Sequence, residues 1–585
     1  MIMKTKALYL TAALLMVFGL NSCKLDVFPS DELNSDLLLQ DAKGAEYIMD
    51  GCYAMLKDEV EFLGYSSGNT YIRHYFQLSE FPADNTCLSA HTTDPLYEAT
   101  AYMMNDGLKN VGTLWMVAYK VIYMANTVIE TLKPEDESGK QLLGEAYFMR
   151  GLMHLHMVSL YAKPYSFGRD NLGVPLRTST SSTETKRNPV GEVYDQIAKD
   201  LRQAADLMGK SRGNAGYPCK EAALGVLSRV YLYMEEYQKC IDVVDEALAG
   251  ADPATKLDAD FATYFTRAKV SPETLFCVAH EVADDRGQSS IGSMFLKDGI
   301  GWGEIYPSDP LMYLYERYPD DVRYTGYIRP QVKDDKVTVA YVPVLADETG
   351  VSGTIKVRCT ISADGTTIKD GSKSYPLEKR RVNGEGKADE AGEYFEYHVQ
   401  NFAYEVKTDK VDGSGKAVME TRYMDDVLVR VNKDMVLRTG FSYPMIFVTK
   451  FSYQDGSPML SSPVLCRWGE VILNRAEAYA RSGKAKEALD DVNVIRTRAG
   501  ILADFAPGNL HGYSNAVNVV MDERRMELAF EGHRMFDVYR NKQDMNRKFA
   551  GAHPWAIVKY DDPHIQYPIP NNEWTVSGIE QNPGY

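Results

Sequence analysis

A chain of 585 residues carrying a formal charge of -17 at pH 7 can bury a large core, and it is too acidic for phosphate-backbone binding, which needs clustered Lys and Arg to release counterions; no nucleic-acid partner is expected. Its composition, 45% hydrophobic and 25% charged, is that of a folded globular protein, and 39 Tyr against 20 Phe and 5 Trp suit half-wet aromatic surfaces facing sugars or peptides. The 8 cysteines are scattered with no Cys-x-x-Cys, which disfavours zinc and thioredoxin chemistry.

The N-terminal "MIMKTKALYLTAALLMVFGLNSC" places Lys4 and Lys6 before an apolar run from Ala7 to Leu20. That run is too short for a comfortable membrane span and reads as a secretory signal over residues 1–22. Its Leu-x-Ser-Cys ending resembles a bacterial lipobox, so Cys23 is expected to carry lipid and to begin the mature chain. No later apolar run approaches the length of a span.

Helical periodicity dominates the next part of the chain. Residues 115–132 and 140–161 are amphipathic and end near Pro134 and Pro164; a third helix, "VGEVYDQIAKDLRQAADLM", follows a Ser/Thr-rich loop at 178–186. In "LGVLSRVYLYMEEYQKCIDVVDEAL", Leu224, Leu227, Ser228, Tyr231, Cys240, Val244 and Ala247 fit tetratricopeptide spacing, with a core cysteine where alanine is usual. "WGEVILNRAEAYARSGKAKEALDDVNVIRTRAG" repeats the form with Ala476, Tyr479 and Ala488. The expected fold is mainly α: a tetratricopeptide-like helical-repeat scaffold over about 115–250 and 463–500, with a large irregular loop and β-hairpin insertion at about 330–460. There "KVRCTISADGTTIKDGSKSYPL" and "EYFEYHVQNFAYEVKTD" alternate apolar and polar residues around Asp-Gly and Gly-Ser turns, and 382–393 reads as a mobile loop.

The block "ERRMELAFEGHRMFDVYR" at 523–540 raises the question of a metal or catalytic site. As a helix it sets Glu523, Glu527 and Glu531 on one face, with Asp537 four residues after His533. Bundle metal sites need Glu-x-x-His on two helices and zinc hydrolases need His-Glu-x-x-His, and neither occurs here. Arg524, Arg525, Arg534 and Arg540 can offset the carboxylates three or four residues away, so the expectation is a structural helix laced with salt bridges, with His533 in the scaffold.

Taken in order, these segments resemble the SusD/RagB family of outer-membrane nutrient-binding lipoproteins. The resemblance is carried by the lipobox, "LDVFPSDEL", "AEYIMDGCYAML", "LWMVAYKVIYMANTVI", "GEAYFMRGLMHLHMVSLYAKPY", "GVPL", the two repeat blocks, "DDVRY", the 523–540 block, "YPIPNNE" and "QNPGY". It implies a single SusD-like unit over 23–585, with an N-terminal part to about 235 and a C-terminal part from about 270. It implies no enzyme, no cofactor and no metal. It further implies a lipid-anchored protein of the outer membrane, facing the cell surface, that captures glycan and acts as a lid on a SusC-like TonB-dependent barrel transporter. The same role for oligopeptides is the alternative. A tetratricopeptide adaptor would lack the lipobox, and no Gly-x-Ser-x-Gly or His-Glu-x-x-His supports a hydrolase.

Family binding sites lie in irregular segments, here 71–106 and 298–324. From the first come Asp84 and Asn85, with Tyr97 and Tyr102 as platforms and Arg73 as a polar contact; the alternatives are a turn cap after Pro82 and ordinary packing. From the second come Trp302, whose flanking glycines in "GIGWG" leave room for an exposed ring, and Tyr306. Trp115 and Trp468 start amphipathic helices and are expected in the core.

Overall fold

Asp136 accepts a hydrogen bond from the Gly139 N–H at 2.8 Å and so caps a helix, Glu137–Tyr161, that is buried along most of its length. In the computed structural model the described residues are 43–585 except 90–91, 183–184, 299, 331–338, 344–353, 362–365, 371–372, 377, 383–387, 400–401, 414, 416, 425–426, 433–445 and 550. The signal segment and Cys23 lie outside them. Ile48–Tyr585 forms one compact unit.

The principal helices, in chain order, are α1 (Gly44–Lys57), α2 (Tyr71–Ser79), α3 (Lys109–Thr131), α4 (Glu137–Tyr161), α5 (Val190–Leu207), α6 (Lys220–Tyr233), α7 (Tyr237–Leu248), α8 (Trp468–Arg481), α9 (Ala485–Arg498), α10 (Ala516–Glu527) and α11 (Arg534–Arg540). α4 is apolar on almost every side because it is sandwiched between α3 and α5. The two repeat-like pairs, α6–α7 and α8–α9, are far apart in sequence and adjacent in space, since α8 packs on both α6 and α7. Arg229 of α6 meets Glu470 of α8 at 2.6 Å, and the Cys240 thiol lies 3.6 Å from the Asn474 carbonyl, the core role expected for that cysteine. Trp115 and Trp468 are buried, also as expected.

Short ladders join distant parts of the chain: β1 (Thr86–Leu88) with β3 (Ile305–Pro307), β2 (Thr274–Cys277) with β15 (Val464–Arg467), and β4 (Ile328–Pro330) with β14 (Ile446–Val448). The insertion enters and leaves through this last pair, with Pro330 opposite Ile446. It is more regular than expected from sequence. β5 (Val339–Pro343), β6 (Thr354–Ile361), β7 (Thr367–Asp370), β8 (Lys373–Pro376), β9 (Glu378–Val382), β10 (Ala388–Val399) and β13 (Val427–Asn432) make a seven-stranded antiparallel sheet in the order 8-7-6-5-13-10-9. β11 (Phe402–Val411) and β12 (Ala417–Met424) form a separate hairpin. Of the loop expected at 382–393, residues 383–387 lie outside the described residues and Ala388 onward is strand. The insertion ends at β14, not at 460, because Phe451, Met459 and Leu460 return to the helical core.

The block at 523–540 is two helices, not one. α10 stops at Glu527, Phe530 and Gly532 take left-handed φ values of 72° and 78°, and α11 starts at Arg534. The turn is held from outside: Glu80, just past α2, accepts from the N–H groups of Phe530 (3.0 Å) and Gly532 (2.8 Å). The carboxylates are paired chiefly across the fold rather than along the helix. Glu523 meets Arg323 (2.6 Å) and Arg496 (3.0 Å), Glu531 meets Arg467 (2.7 Å) and Lys450 (2.8 Å), and Glu527 sits among Arg323, Arg467 and Arg498. Glu273 bridges Arg467 and Arg498, and Asp321 holds Arg323. His533 is buried 4.0 Å from Glu470, and burial pushes its imidazole down to about 4, so it is a neutral packing group. Among the described residues no group of three or more His, Cys, Asp or Glu is placed to hold a metal, and no helix is long and apolar enough to cross a membrane.

The "YPIP" segment lies on the scaffold, with the Tyr567 hydroxyl donating to the Leu78 carbonyl at 2.7 Å. It is followed by a short helix, Asn571–Ser577.

Candidate functional site

The β1–β3 ladder brings the two irregular segments together, pairing Cys87 with Tyr306 and Leu88 with Ile305. Ser308 adds to the junction, its hydroxyl and N–H donating to the carbonyls of Asp84 and Asn85. The adjacency was expected only of the region; the side chains divide into two groups within it.

Asp84, Asn85, Tyr102 and Tyr306 point into the fold. Asp84 is buried with Arg534 on both oxygens (2.6 and 2.9 Å) and Arg525 at 3.4 Å. Burial alone would raise its carboxyl, but Arg525 and Arg534 hold it well below the usual carboxylate range. Asn85 accepts from Arg525 at 2.8 Å. Tyr102 donates to the Pro82 carbonyl (3.1 Å) and accepts from the Tyr539 hydroxyl (2.7 Å). Tyr306 packs against Cys87, Phe447 and Met459 in a closed apolar cluster. Asp84, Asn85 and Tyr102 therefore lock the segment after α2 onto α10 and α11, and all four side chains lack the exposure that a ligand contact requires. Tyr97 is half-buried, one turn after Asp94.

Trp302 differs. Its loop folds back on the turn Gly292–Phe295, with the N–H groups of Trp302 and Gly303 both donating to the Ser293 carbonyl (2.7 and 2.9 Å) and Glu304 N–H donating to the Met294 carbonyl (2.8 Å). A Cβ on Gly301 would collide with the Leu296 carbonyl, and Gly303 has φ +55° against Lys297 and Phe447, so the flanking glycines are required by close approach and by backbone conformation. The indole stands 50% exposed, its N–H fixed to the Gln288 carbonyl at 3.2 Å, with Ile300 exposed beside it. Nearby polar groups are already positioned: Gln288 donates to the Ile300 carbonyl (3.0 Å), and Tyr453 donates to Asp298 (2.7 Å) while Arg329 of β4 stacks on its ring at 5.2 Å.

Arg73 approaches from the other side of the same segment. It bonds Asp94 (3.0 Å) and the Gly68 carbonyl (3.3 Å), and with Arg286, His280, Asp284 and Ser289 it lines a crevice of about 20 Å³. Residues 284–291 thus form one wall of the crevice and, through Gln288, the support of Trp302. Its neighbour His74 is instead a core histidine, tied to Gln77 (2.9 Å) and Asn69 (2.6 Å) and pushed by burial down to about 3. Gln288, Asp298, Arg329 and Tyr453 were not found in the sequence. Only Tyr453-Gln-Asp-Gly carries a turn signal, and nothing in it announces a half-buried phenol bonded to Asp298.

Arranged this way, the surface has an aromatic face and fixed polar groups, which suits binding of a hydroxyl-rich ligand. Two family models match the chain, one described as "Starch-binding associating with outer membrane" over residues 48–232 and one described as "SusD family" over 280–585. The chain is 21% identical to SusD-like protein P2 of Formosa agariphila over 510 residues, 83% of each chain. It also resembles the solved structures of a putative sugar binding protein from Bacteroides vulgatus (TM-score 0.64, 20% identity, 93% of this chain and 98% of that one) and a SusD superfamily protein from Bacteroides thetaiotaomicron (TM-score 0.64, 20% identity, 93% and 99%). A laminarin binding SusD-like protein matches with TM-score 0.57 and 17% identity over 93% of this chain and all of that one.

Proposed function

We propose, from the premise that this chain belongs to the SusD family, that it captures glycan at the outer membrane and hands it on for import. The family is one of binding proteins without catalytic activity. The observation that carries the glycan reading is the Trp302 ring, half exposed and pinned by its own N–H to the Gln288 carbonyl. A ring fixed before binding loses little entropy when a sugar face stacks on it. The starch-binding description of the matching family model and the laminarin-binding neighbour point to the same ligand class. The lipobox and the outer-membrane description support an anchor at Cys23 and a lid role over a SusC-like TonB-dependent transporter.

The test is a thermal-shift and calorimetric screen of the form lacking residues 1–23 against neutral and acidic polysaccharides and mixed oligopeptides. A glycan class is expected to raise the melting temperature, and Trp302→Ala is expected to weaken that glycan by tenfold or more with the melting temperature of the free protein unchanged, consistent with about 1–3 kcal/mol for a stacked ring. A response to peptides alone would move the ligand to that class. Cys23→Ala should release the full-length protein from the membrane fraction; continued detergent-dependent partitioning would remove the lipid anchor from the reading.

A further inference from the structure

Lys57 lines two depressions. One is the crevice of Arg73 and Arg286; the other is a larger groove of about 240 Å³ between α1, the 214–217 turn and the strand end at 276–281. We propose that this groove is a second glycan subsite, taking one neutral pyranose unit of the chain whose other units lie on Trp302. The inference rests on the glycan reading above and extends it to a place that reading does not reach.

The groove has the two elements sugar recognition needs. Its floor is aromatic and rigid: Tyr53 meets Tyr217 edge-on at 5.3 Å and Phe276 at 6.3 Å, and its hydroxyl is fixed to the buried Glu145 at 2.8 Å. Arg212 stacks on Tyr217 at 4.3 Å and pairs with Glu145, so neither ring can rotate away. The rim supplies acceptors and donors in the form of Asp50, Asn214, Lys57 and Glu281. Their charges are offset locally: Asp50 by Arg212 (3.1 Å), Lys57 by Asp284 (2.6 Å) and Glu281 by Lys269 (2.7 Å). A balanced rim favours neutral hydroxyls over a carboxylate or sulfate. The volume is below that of a drug-sized pocket and suits a single ring.

The groove is also connected to Trp302. Gln288 holds the indole, residues 284–291 run back along the crevice, and Lys57 reaches from the groove to Asp284 and to the Ala279 carbonyl (3.1 Å). Gln288 lies four positions after Asp284, so that stretch spans no more than about 14 Å. An oligosaccharide touching both places gains from the high effective concentration of its second contact.

Ala54→Trp fills the groove from α1 without removing a charge or hydrogen bond. The experiment measures binding of malto- and laminari-oligosaccharides of two and of eight units to the parent, Ala54→Trp, Trp302→Ala and the double variant, with melting temperatures as the folding control. The inference predicts that Ala54→Trp leaves the two-unit ligand within twofold while weakening the eight-unit ligand about tenfold, and that the double variant loses both. Unchanged eight-unit affinity in Ala54→Trp, with Trp302→Ala impaired, overturns the second subsite and leaves the glycan reading standing. If Ala54→Trp is destabilised, Asn214→Leu replaces it and is read the same way. Silence of the parent toward every oligosaccharide, with Trp302→Ala indistinguishable from it, overturns both.

Discussion

Glu80 is fully buried, and that burial lifts its carboxyl to about 7 against the opposing pull of the Gly532 and Phe530 N–H groups and Lys450. Between about pH 4.5 and 7 the unfolded chain releases this proton while the folded chain keeps it, so the folded state binds more protons and its stability falls as pH rises through that window, by up to about 3 kcal/mol. Glu80→Gln removes the titration, and its melting temperature should depend less on pH from 5 to 7.5; equal slopes for variant and parent would show that Glu80 is ionised in the fold. The same scale explains which candidate residues were legible. The exposure of Trp302 was readable because glycines on both sides of a tryptophan state a local requirement for close approach. Asp84 was misread as a ligand contact because its partners, Arg525 and Arg534, stand about 450 residues away and no local pattern announces them. Arg73 could be found, but its proximity to the Trp302 support depends on tertiary contacts.

At the level of elements, the 3.6-residue period and the tyrosine-to-small spacing of nine were sufficient for α3 to α9, since burial on one stripe is written directly in the sequence. The break between α10 and α11 was not, because Phe530 is an unusual residue for a left-handed turn and the carboxylate that stabilises the turn comes from α2. Long-range pairing has an energetic consequence. Glu527 is fully buried facing Arg323, Arg467 and Arg498, and those contacts keep its carboxyl well below the ordinary range despite a burial that acts in the opposite direction. Glu527→Gln should cost about 3–5 kcal/mol, since three buried cations lose a counter-charge. Glu137→Gln, which removes an exposed pair with Lys140, should change stability by less than about 0.5 kcal/mol. Urea denaturation of both variants measures the contrast; comparable losses would mean that the Glu527 cluster is better solvated than its burial implies.

For the whole molecule, the order of segments gives the packing of consecutive helices but not the joining of the two repeat-like pairs. α6 and α8 are joined by Arg229–Glu470 and by the β2–β15 ladder, although more than 230 residues lie between them, and the periodicity that identifies each helix says nothing about that pairing. The insertion was visible as an alternating stretch, and its runs 8-7-6-5 and 10-9 pair sequence neighbours, but the placement of β13 between β5 and β10 has no local signal and could not be read. Its attachment through β4 and β14 leads to a structural prediction. Removing 331–445 and joining Pro330 to Ile446 through Asn-Gly, a dipeptide suited to a two-residue hairpin turn, should leave a helical body that still unfolds in one transition. Loss of cooperative unfolding in calorimetry would show instead that the insertion helps hold the body together.

The facing pair Pro330–Ile446 also bears on how such proteins diversify. A segment whose two ends leave the body side by side can be lengthened, shortened or exchanged by recombination without moving a helix. Because Arg329 of the same ladder stacks on Tyr453 beside Asp298, each exchanged segment would arrive at the margin of the Trp302 surface. An exchanged segment would then reshape that margin while the buried cluster of Glu527 with Arg323, Arg467 and Arg498 stays as it is.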